Sequence, residues 1–189
     1  MPPTRSPLKL ETRLDVLLAL LGASTRPVRG ITRLVKLLFL AEKEVDADRW
    51  LKRGEYYGYR PYKIGPFSAD VYEDVEILQD SGLIEGTPGH AEAEDDIAAW
   101  EEEYATDVTP EPGPDSVHRE VNRAFRLTGD GLKCAEAILS SVTNEQRTAL
   151  RQLRARYDRM SLRQLLVYVY TRYPKYAEES EIRGDLGLE

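Results

Sequence analysis

The sequence has few of the residues that build covalent and metal-bound scaffolds. Its 189 residues include one cysteine, Cys134, and two histidines, His90 and His118. A single cysteine cannot close an intramolecular disulfide, so we expect a protein of the reducing cytoplasm. The same scarcity argues against the Cys/His sets that hold zinc or iron–sulfur clusters. We therefore predict no metal site and no cofactor.

Long apolar runs are missing as well. The strongest one, VLLALLGA at 16–23, is far shorter than the roughly 20 apolar residues that span a bilayer. The N-terminal stretch MPPTRSPLKLETR lacks the apolar core of a secretory signal. Hydrophobic residues make up 41% of the chain and charged residues 31%. We predict a soluble globular protein with no membrane partner.

Positive charge is absent from a long central block. Residues 66–116 contain 16 Asp and Glu but no Lys or Arg. The flanks are basic, with 13 Lys/Arg against 7 acids in 1–65 and 13 against 10 in 117–189. The net charge of −7 thus combines an acidic centre with two cationic flanks. Such a block either pairs with basic surface on the same chain or faces a cationic partner.

Hydrophobic periodicity predicts a mostly α protein with a small β element. Leucines at helical spacing predict an amphipathic helix over 9–22. A largely apolar helix over 31–45 should be central, with Arg33, Lys36 and Lys43 on its polar stripe. A third helix follows a turn at Gly65-Pro66, with Ser68 as N-cap and Gly82 as its left-handed stop.

A wing and further helices complete the expected fold. A strand at 83–86 should pair with a return strand within 123–131, after which Thr128 caps a helix with Leu132 on its buried face. Capping boxes predict the starts of two more helices, at Thr143 with Gln146 and at Ser161 with Gln164. We predict a winged-helix-like core over 1–86 and 117–142, interrupted by an acidic excursion at 87–116. A C-terminal helical extension at 143–189 should pack on this core.

No set of side chains indicates catalysis. Neither histidine has a triad-like context around a Ser or Cys, and Cys134 falls among apolar helix positions. Walker-type and dinucleotide-binding glycine patterns are missing, and GDG at 129–131 is a turn into a helix. The acidic stretch AEAEDD lacks the spacing of a calcium loop. We predict no catalytic residues and no enzyme activity.

The helix after Ser68 is too acidic to read a DNA groove. It carries five Asp and Glu and no basic residue up to Ser81, whereas duplex DNA presents about one negative charge per 1.7 Å. Phe67, Val71, Val75 and Leu78 predict its buried face. We expect the turn and the acidic face to contact a cationic protein partner through Gly65, Pro66, Asp70, Tyr72, Glu73 and Asp74.

A nucleic-acid-binding surface is the alternative. The basic candidates between 26 and 63 are Arg29, Arg33, Lys36, Lys52, Arg53, Arg60 and Lys63. Tyrosines lie among them, and basic groups beside aromatic rings grip phosphate and stack bases. The same groups would also serve as ion-pairing partners of the acidic block. A second stripe, Arg147, Arg151 and Arg154, is explained equally well by a solvated helix face.

Two segments carry a family resemblance. ITRLVKLLFLAEKE and YGYRPYKIGPFSADVYEDVEILQDSGLIE, within 31–85, resemble the SocA-like antitoxin, or Panacea, group. The chain looks most similar to the YwgA-like, phage-associated branch of that group, and LLVYVYTRYPKYAEES, within 162–180, is similar to the ending of that branch. The matching residues are Lys36, Leu37, Phe39, Gly65, Pro66 and Tyr72. The acidic insertion and a longer N-terminal helix depart from the family pattern.

The resemblance implies a winged-helix-like, non-catalytic module of prokaryotic mobile elements and defence systems. Members of the group are taken to neutralise toxins by binding them, or to act as adaptors. The expected function is therefore an antitoxin-type protein-binding module whose partner is a toxin or another protein encoded nearby. A winged-helix DNA-binding regulator, or a nucleic-acid-binding defence component that uses the basic 26–63 surface, remains the alternative, and the oligomeric state stays open.

Overall fold

A computed structural model describes residues 11–47, 55–88 and 123–188 of the chain. Within these ranges the protein forms six α-helices and a three-stranded antiparallel sheet. The elements are α1 (Arg13–Gly22), β1 (Val28–Arg29), α2 (Ile31–Glu44), α3 (Ala69–Asp80), β2 (Ile84–Pro88), β3 (Arg123–Leu127), α4 (Gly129–Ser141), α5 (Asn144–Tyr157) and α6 (Leu162–Arg172). A 3₁₀ turn, Pro174–Ala177, follows α6. The prediction of a mostly α protein with a small β element is confirmed.

The sheet has the strand order β1-β3-β2. Antiparallel pairing places Ile84 opposite Leu127 on β2 and β3, and Val28 of β1 opposite Phe125. The chain order α1-β1-α2-α3-β2-β3, with β3 in the middle, is that of a winged helix. The paired wing strands were predicted, whereas β1 was not. Its two residues are too few to show the alternation by which a strand is recognised in a sequence.

Helix α2 forms the centre of the core, as predicted. Its residues from Leu34 to Ala41 are all buried, and the helix contacts α1, α5, α6 and β1. The ring of Phe39 makes edge-type contacts with three tyrosines, at centroid distances of 5.2 Å to Tyr59, 5.1 Å to Tyr173 and 4.8 Å to Tyr176. The segment before α3 and the chain after α6 therefore meet on this helix.

The helix starts follow local capping rules. Thr143 with Gln146 and Ser161 with Gln164 form the predicted capping boxes of α5 and α6, and the Thr128 hydroxyl accepts from the amide of Gly131 at 3.1 Å. Leu132, expected on the buried face of α4, is 50% exposed. The buried face instead includes Gly131, because the helix lies directly against the backbone of the wing.

Arg154 ties α5 to the end of α1. Its side chain is 0% exposed, and its guanidinium donates to the carbonyls of Leu20 at 2.8 Å and Arg26 at 2.7 Å. It also donates to Asp158 at 2.8 Å, and the Asp158 carboxylate accepts from the hydroxyl of Ser24 at 2.8 Å. Both interpretations of the arginine stripe, a nucleic-acid-binding candidate and a solvated helix face, are therefore wrong for Arg154, which is a buried cross-link between α5 and the end of α1.

Candidate functional site

A tight turn precedes α3 and contains the motif residues Gly65 and Pro66. Arg60 and Phe67 exchange backbone hydrogen bonds of 3.0 and 2.9 Å, and Tyr62 and Gly65 do the same across the tip. Gly65 has φ +78°, and a Cβ at this position would lie 2.5 Å from the ring of Tyr170. Only glycine fits both the left-handed backbone and this close approach.

The turn is internal and does not present itself to solvent. Gly65 and Pro66 are both buried, and the Pro66 carbonyl accepts from the Lys36 ammonium at 3.0 Å. The sequence predicts that these two residues contact a partner directly. Because α2 and α6 pack on them, they position α3 instead.

Helix α3 is fixed to the core by the residues that the sequence predicted. Phe67, Val71, Val75 and Leu78 are all buried. Ser68 occupies the N-cap position, but its side chain does not cap the helix. Its hydroxyl donates to the carbonyl of Tyr57 at 2.6 Å, so it fastens the helix start to the preceding segment. Gly82 ends the helix region with φ +67°, as expected.

Part of the acidity of α3 is neutralised inside the protein by Arg13 of α1. The Arg13 guanidinium pairs with Asp70 and lies 3.4 Å from Asp74. Asp74 is 2% exposed, and the guanidinium also lies over the ring of Tyr57 at 5.5 Å. In the described ranges the acidic helix therefore has its intramolecular partner on α1, outside the 26–63 segment that the sequence suggested.

Burial dominates the electrostatics of this cluster. It raises the pKa of Asp74 above its ordinary 3.8, and the neighbouring Arg13 charge opposes that rise. The pKa of the Tyr57 hydroxyl is also raised, first by burial and then by the Asp74 carboxylate. Within the described ranges, Tyr59 Oη and Asp74 Oδ2 are buried without a hydrogen-bond partner. Asp74 is thus a costly group inside the fold.

Asp74 should make the stability of the protein depend on pH in the acidic range. Because its folded pKa lies above the unfolded value, the folded state binds this proton more tightly, and the resulting stabilisation is lost as the pH rises through the folded pKa. Relative to Asp74→Asn, the wild-type free energy of unfolding should fall as the pH rises above about 4. Urea unfolding of both proteins between about pH 4 and 7 measures this difference. A wild-type free energy of unfolding that rises relative to that of Asp74→Asn over this range would contradict the prediction.

The outer side of α3 carries an exposed acidic face, defined here as Glu73, Glu76, Ile77 and Asp80. The three acids are exposed, and Ile77 between them is 48% exposed. Spacings of three and four residues place all four on one side of the helix. Ile77 was not predicted to lie on this face, although its i, i+4 spacing from Glu73 places it there. Tyr72 is half-buried, with its ring 5.7 Å from that of Phe67.

The described residues of the predicted basic surface between 26 and 63 do not form one open patch. Lys36 was expected on a polar stripe but is 3% exposed, because the Pro66 carbonyl satisfies its ammonium inside the core. Arg33 donates to the Met160 carbonyl at 2.9 Å, and the Lys63 ammonium lies 3.6 Å from Glu181.

Two of the basic candidates remain exposed in the described ranges. Arg29 lies on the edge strand β1, and the Arg60 guanidinium lies 5.1 Å from the centroid of the Tyr62 ring. Lys52, Arg53, His90, His118 and residues 89–116 of the acidic excursion lie outside the described residues. Of the second stripe, Arg147 donates to the Leu139 carbonyl at 2.7 Å and only Arg151 is exposed. No helix in the described part of the chain is long and apolar enough to cross a bilayer.

Comparisons with protein-family models, with curated proteins and with solved structures gave no match to this chain. The resemblance to the SocA-like group therefore remains a prediction from the sequence.

Proposed function

We propose that the chain is a non-catalytic protein-binding module of antitoxin type that holds a basic partner protein against the acidic face of α3. The observation that carries this proposal is the arrangement of that face, in which three exposed carboxylates surround the half-exposed Ile77. The buried turn at Gly65-Pro66 lies just before α3, so it contributes to binding by positioning that helix.

The physical chemistry of the acidic face suits a protein partner. Protein interfaces combine an apolar centre with a polar rim, and Ile77 supplies such a centre here. Glu73, Glu76 and Asp80 would steer a cationic surface and exclude anionic ones. Arg13 pairs with Asp70 and Asp74 and offsets one of their two charges, whereas Glu73, Glu76 and Asp80 are exposed and open to a partner.

Preorganisation adds to this argument. The opposite side of α3 is locked by Val71, Val75 and Leu78, all of which are buried. A partner would therefore meet a helix that is already ordered, and binding would require little further loss of conformational entropy. The family resemblance supplies the biological setting, which is a toxin or another protein encoded beside this chain in a mobile element or defence locus.

Charge reversal on the acidic face should abolish binding of such a partner. We expect the product of an adjacent gene to co-purify with the wild-type chain and to be lost with Glu73→Lys/Glu76→Lys/Asp80→Lys. The matched control is Glu136→Lys/Glu178→Lys/Glu179→Lys, which makes the same charge change at exposed positions elsewhere. The control should retain the complex, and Ile77→Ala should weaken it by about tenfold, as expected for truncation of a central apolar contact.

Three results would contradict the proposal. One is the absence of a complex with any product of the neighbouring genes. Another is a complex that survives reversal of the acidic face. The third is equal loss with the acidic-face and control variants, which would make binding a matter of net charge alone. Affinity measured by isothermal calorimetry on the purified pair separates these cases.

A further inference from the structure

The helices α5 and α6 carry a second charged surface, and its sign is opposite to that of α3. Residues 144–176 contain eight Lys and Arg but only two acids, Glu145 and Asp158. Three of the arginines are used internally, since Arg147, Arg154 and Arg163 donate to backbone carbonyls. The cations that remain exposed are Arg151, Arg156, Arg159, Arg172 and Lys175. None of these five forms an ion pair with a residue in the described ranges.

Two of these arginines lie over tyrosine rings. The Arg156 guanidinium is 5.1 Å from the ring centroid of Tyr157 and 5.0 Å from that of Tyr168. The Arg172 guanidinium is 5.8 Å from the ring of Tyr173. Within the described ranges neither guanidinium donates a hydrogen bond or forms an ion pair, so their N–H groups are available to a bidentate anion while the ring contacts already restrict the side chains.

The tyrosines are themselves held from below. The hydroxyls of Tyr157 and Tyr168 both donate to the Glu44 carboxylate, each at 2.6 Å. Burial and then the nearby Glu44 charge raise the pKa of Tyr173 to about 12. Its hydroxyl is therefore neutral at physiological pH, and its ring adds no negative charge beside Glu44. With their hydroxyls turned toward Glu44, Tyr157 and Tyr168 form a fixed platform beneath Arg156.

We propose that this arginine–tyrosine surface, defined by Arg156, Tyr168, Arg172 and Tyr173, binds the phosphate backbone of a nucleic acid. Planar guanidinium forks fit phosphate oxygens, and half-exposed rings beside them offer contact area to sugars and bases. Arg159 and Lys175 lie within three residues of these arginines and extend the cationic surface along the chain. An acidic peptide would satisfy the charge but would leave the aromatic platform without a role.

This surface is separate from the acidic face of α3. Helix α3 contacts α1 and β2, whereas α5 contacts α1 and α2, and α6 contacts α2. The basic candidates between 26 and 63 lie outside this surface, so neither Lys36 nor Arg33 contributes to it. Either proposal can fail while the other holds, because each is tested with its own probe and its own variants.

The experiment uses the full chain and fluorescein-labelled DNA of mixed sequence, about 20 nucleotides long, as single strand and as duplex. Fluorescence anisotropy between about 50 and 200 mM salt should show binding that weakens as salt rises. With Arg156→Gln/Arg172→Gln, the affinity at about 50 mM salt should fall by about tenfold or more, and the slope of log K against log salt should fall by about 2.

The matched control is Arg126→Gln/Lys133→Gln, which removes the same charge from exposed positions on β3 and α4. This control should leave the DNA affinity within about twofold of wild type. An equal loss of affinity in the control and in Arg156→Gln/Arg172→Gln would overturn the proposal. Arg156→Lys keeps the charge but not the planar fork, so it should bind at an intermediate level. Thermal unfolding of each variant should match wild type, because the substituted side chains are exposed.

Three further outcomes would overturn the inference. Absence of binding to both probes at the lowest salt excludes a phosphate site. Binding of polyglutamate, but not of DNA, with loss in the Arg156→Gln/Arg172→Gln variant would assign the surface to acidic proteins. Salt-sensitive self-association in sedimentation experiments, without DNA binding, would assign it to the acidic face of a second copy.

Discussion

Arg154→Ala should lower the free energy of unfolding by about 3–5 kcal/mol, the range found when one partner of a buried ion pair is removed. The guanidinium is fully buried and donates to Leu20, Arg26 and Asp158. Its loss removes a buried charged donor from two carbonyls and one carboxylate and opens a cavity between α1 and α5. Urea unfolding followed by far-ultraviolet circular dichroism measures the change.

Arg151→Ala is the control on the same helix. Arg151 is exposed, and its replacement should change stability by less than about 0.5 kcal/mol. Arg154→Lys should recover only part of the loss, because an ammonium cannot reach three acceptors with the geometry of a planar fork. A similar cost at both positions would mean that helix propensity, rather than the buried network, sets the effect.

Arg151 and Arg154 lie on the same predicted helix, but the sequence does not predict which of them is buried. Helical periodicity and capping boxes are local, so they predicted α5 and its start at Thr143. Whether an arginine of that helix faces water or a neighbouring helix depends on chain that is remote in sequence. The Arg154 contacts reach Leu20, which is 134 residues away. No pattern within one helix separates Arg154 from Arg151.

The acidic helix α3 likewise shows that contacts remote in sequence decide which charged side chains are buried. Its apolar spacing predicted the buried face, and its composition predicted an acidic surface. The sequence did not predict which carboxylates are neutralised, because Arg13 comes from a helix 57 residues earlier in the chain. Lys36 is a similar case, since its burial depends on the Pro66 carbonyl, 30 residues away. Counting charged residues by segment reveals the excess of acidic side chains. The packing of the folded chain determines which of those side chains remain exposed.

Gly131→Ala should lower the free energy of unfolding by about 2–4 kcal/mol through overpacking and lost hydrogen bonds. A Cβ at Gly131 would lie 1.8 Å from the carbonyl oxygen of Leu83, which is backbone and cannot rotate away. That oxygen already accepts from the Thr128 amide at 3.0 Å. The wing or the start of α4 must therefore move, and moving either one breaks this contact.

Gly129→Ala supplies the matched control, two positions earlier in the same helix. A Cβ at Gly129 would meet no atom within 4 Å, so alanine there should raise stability by up to about 1 kcal/mol through helix propensity and a less flexible unfolded state. Thermal unfolding of the two variants should therefore shift in opposite directions. Both glycines belong to one GDG motif and look equivalent in the sequence. If both variants shifted the unfolding temperature in the same direction, backbone flexibility would account for both glycines. Opposite shifts would mean that Gly131 is required because α4 approaches the wing too closely for a Cβ.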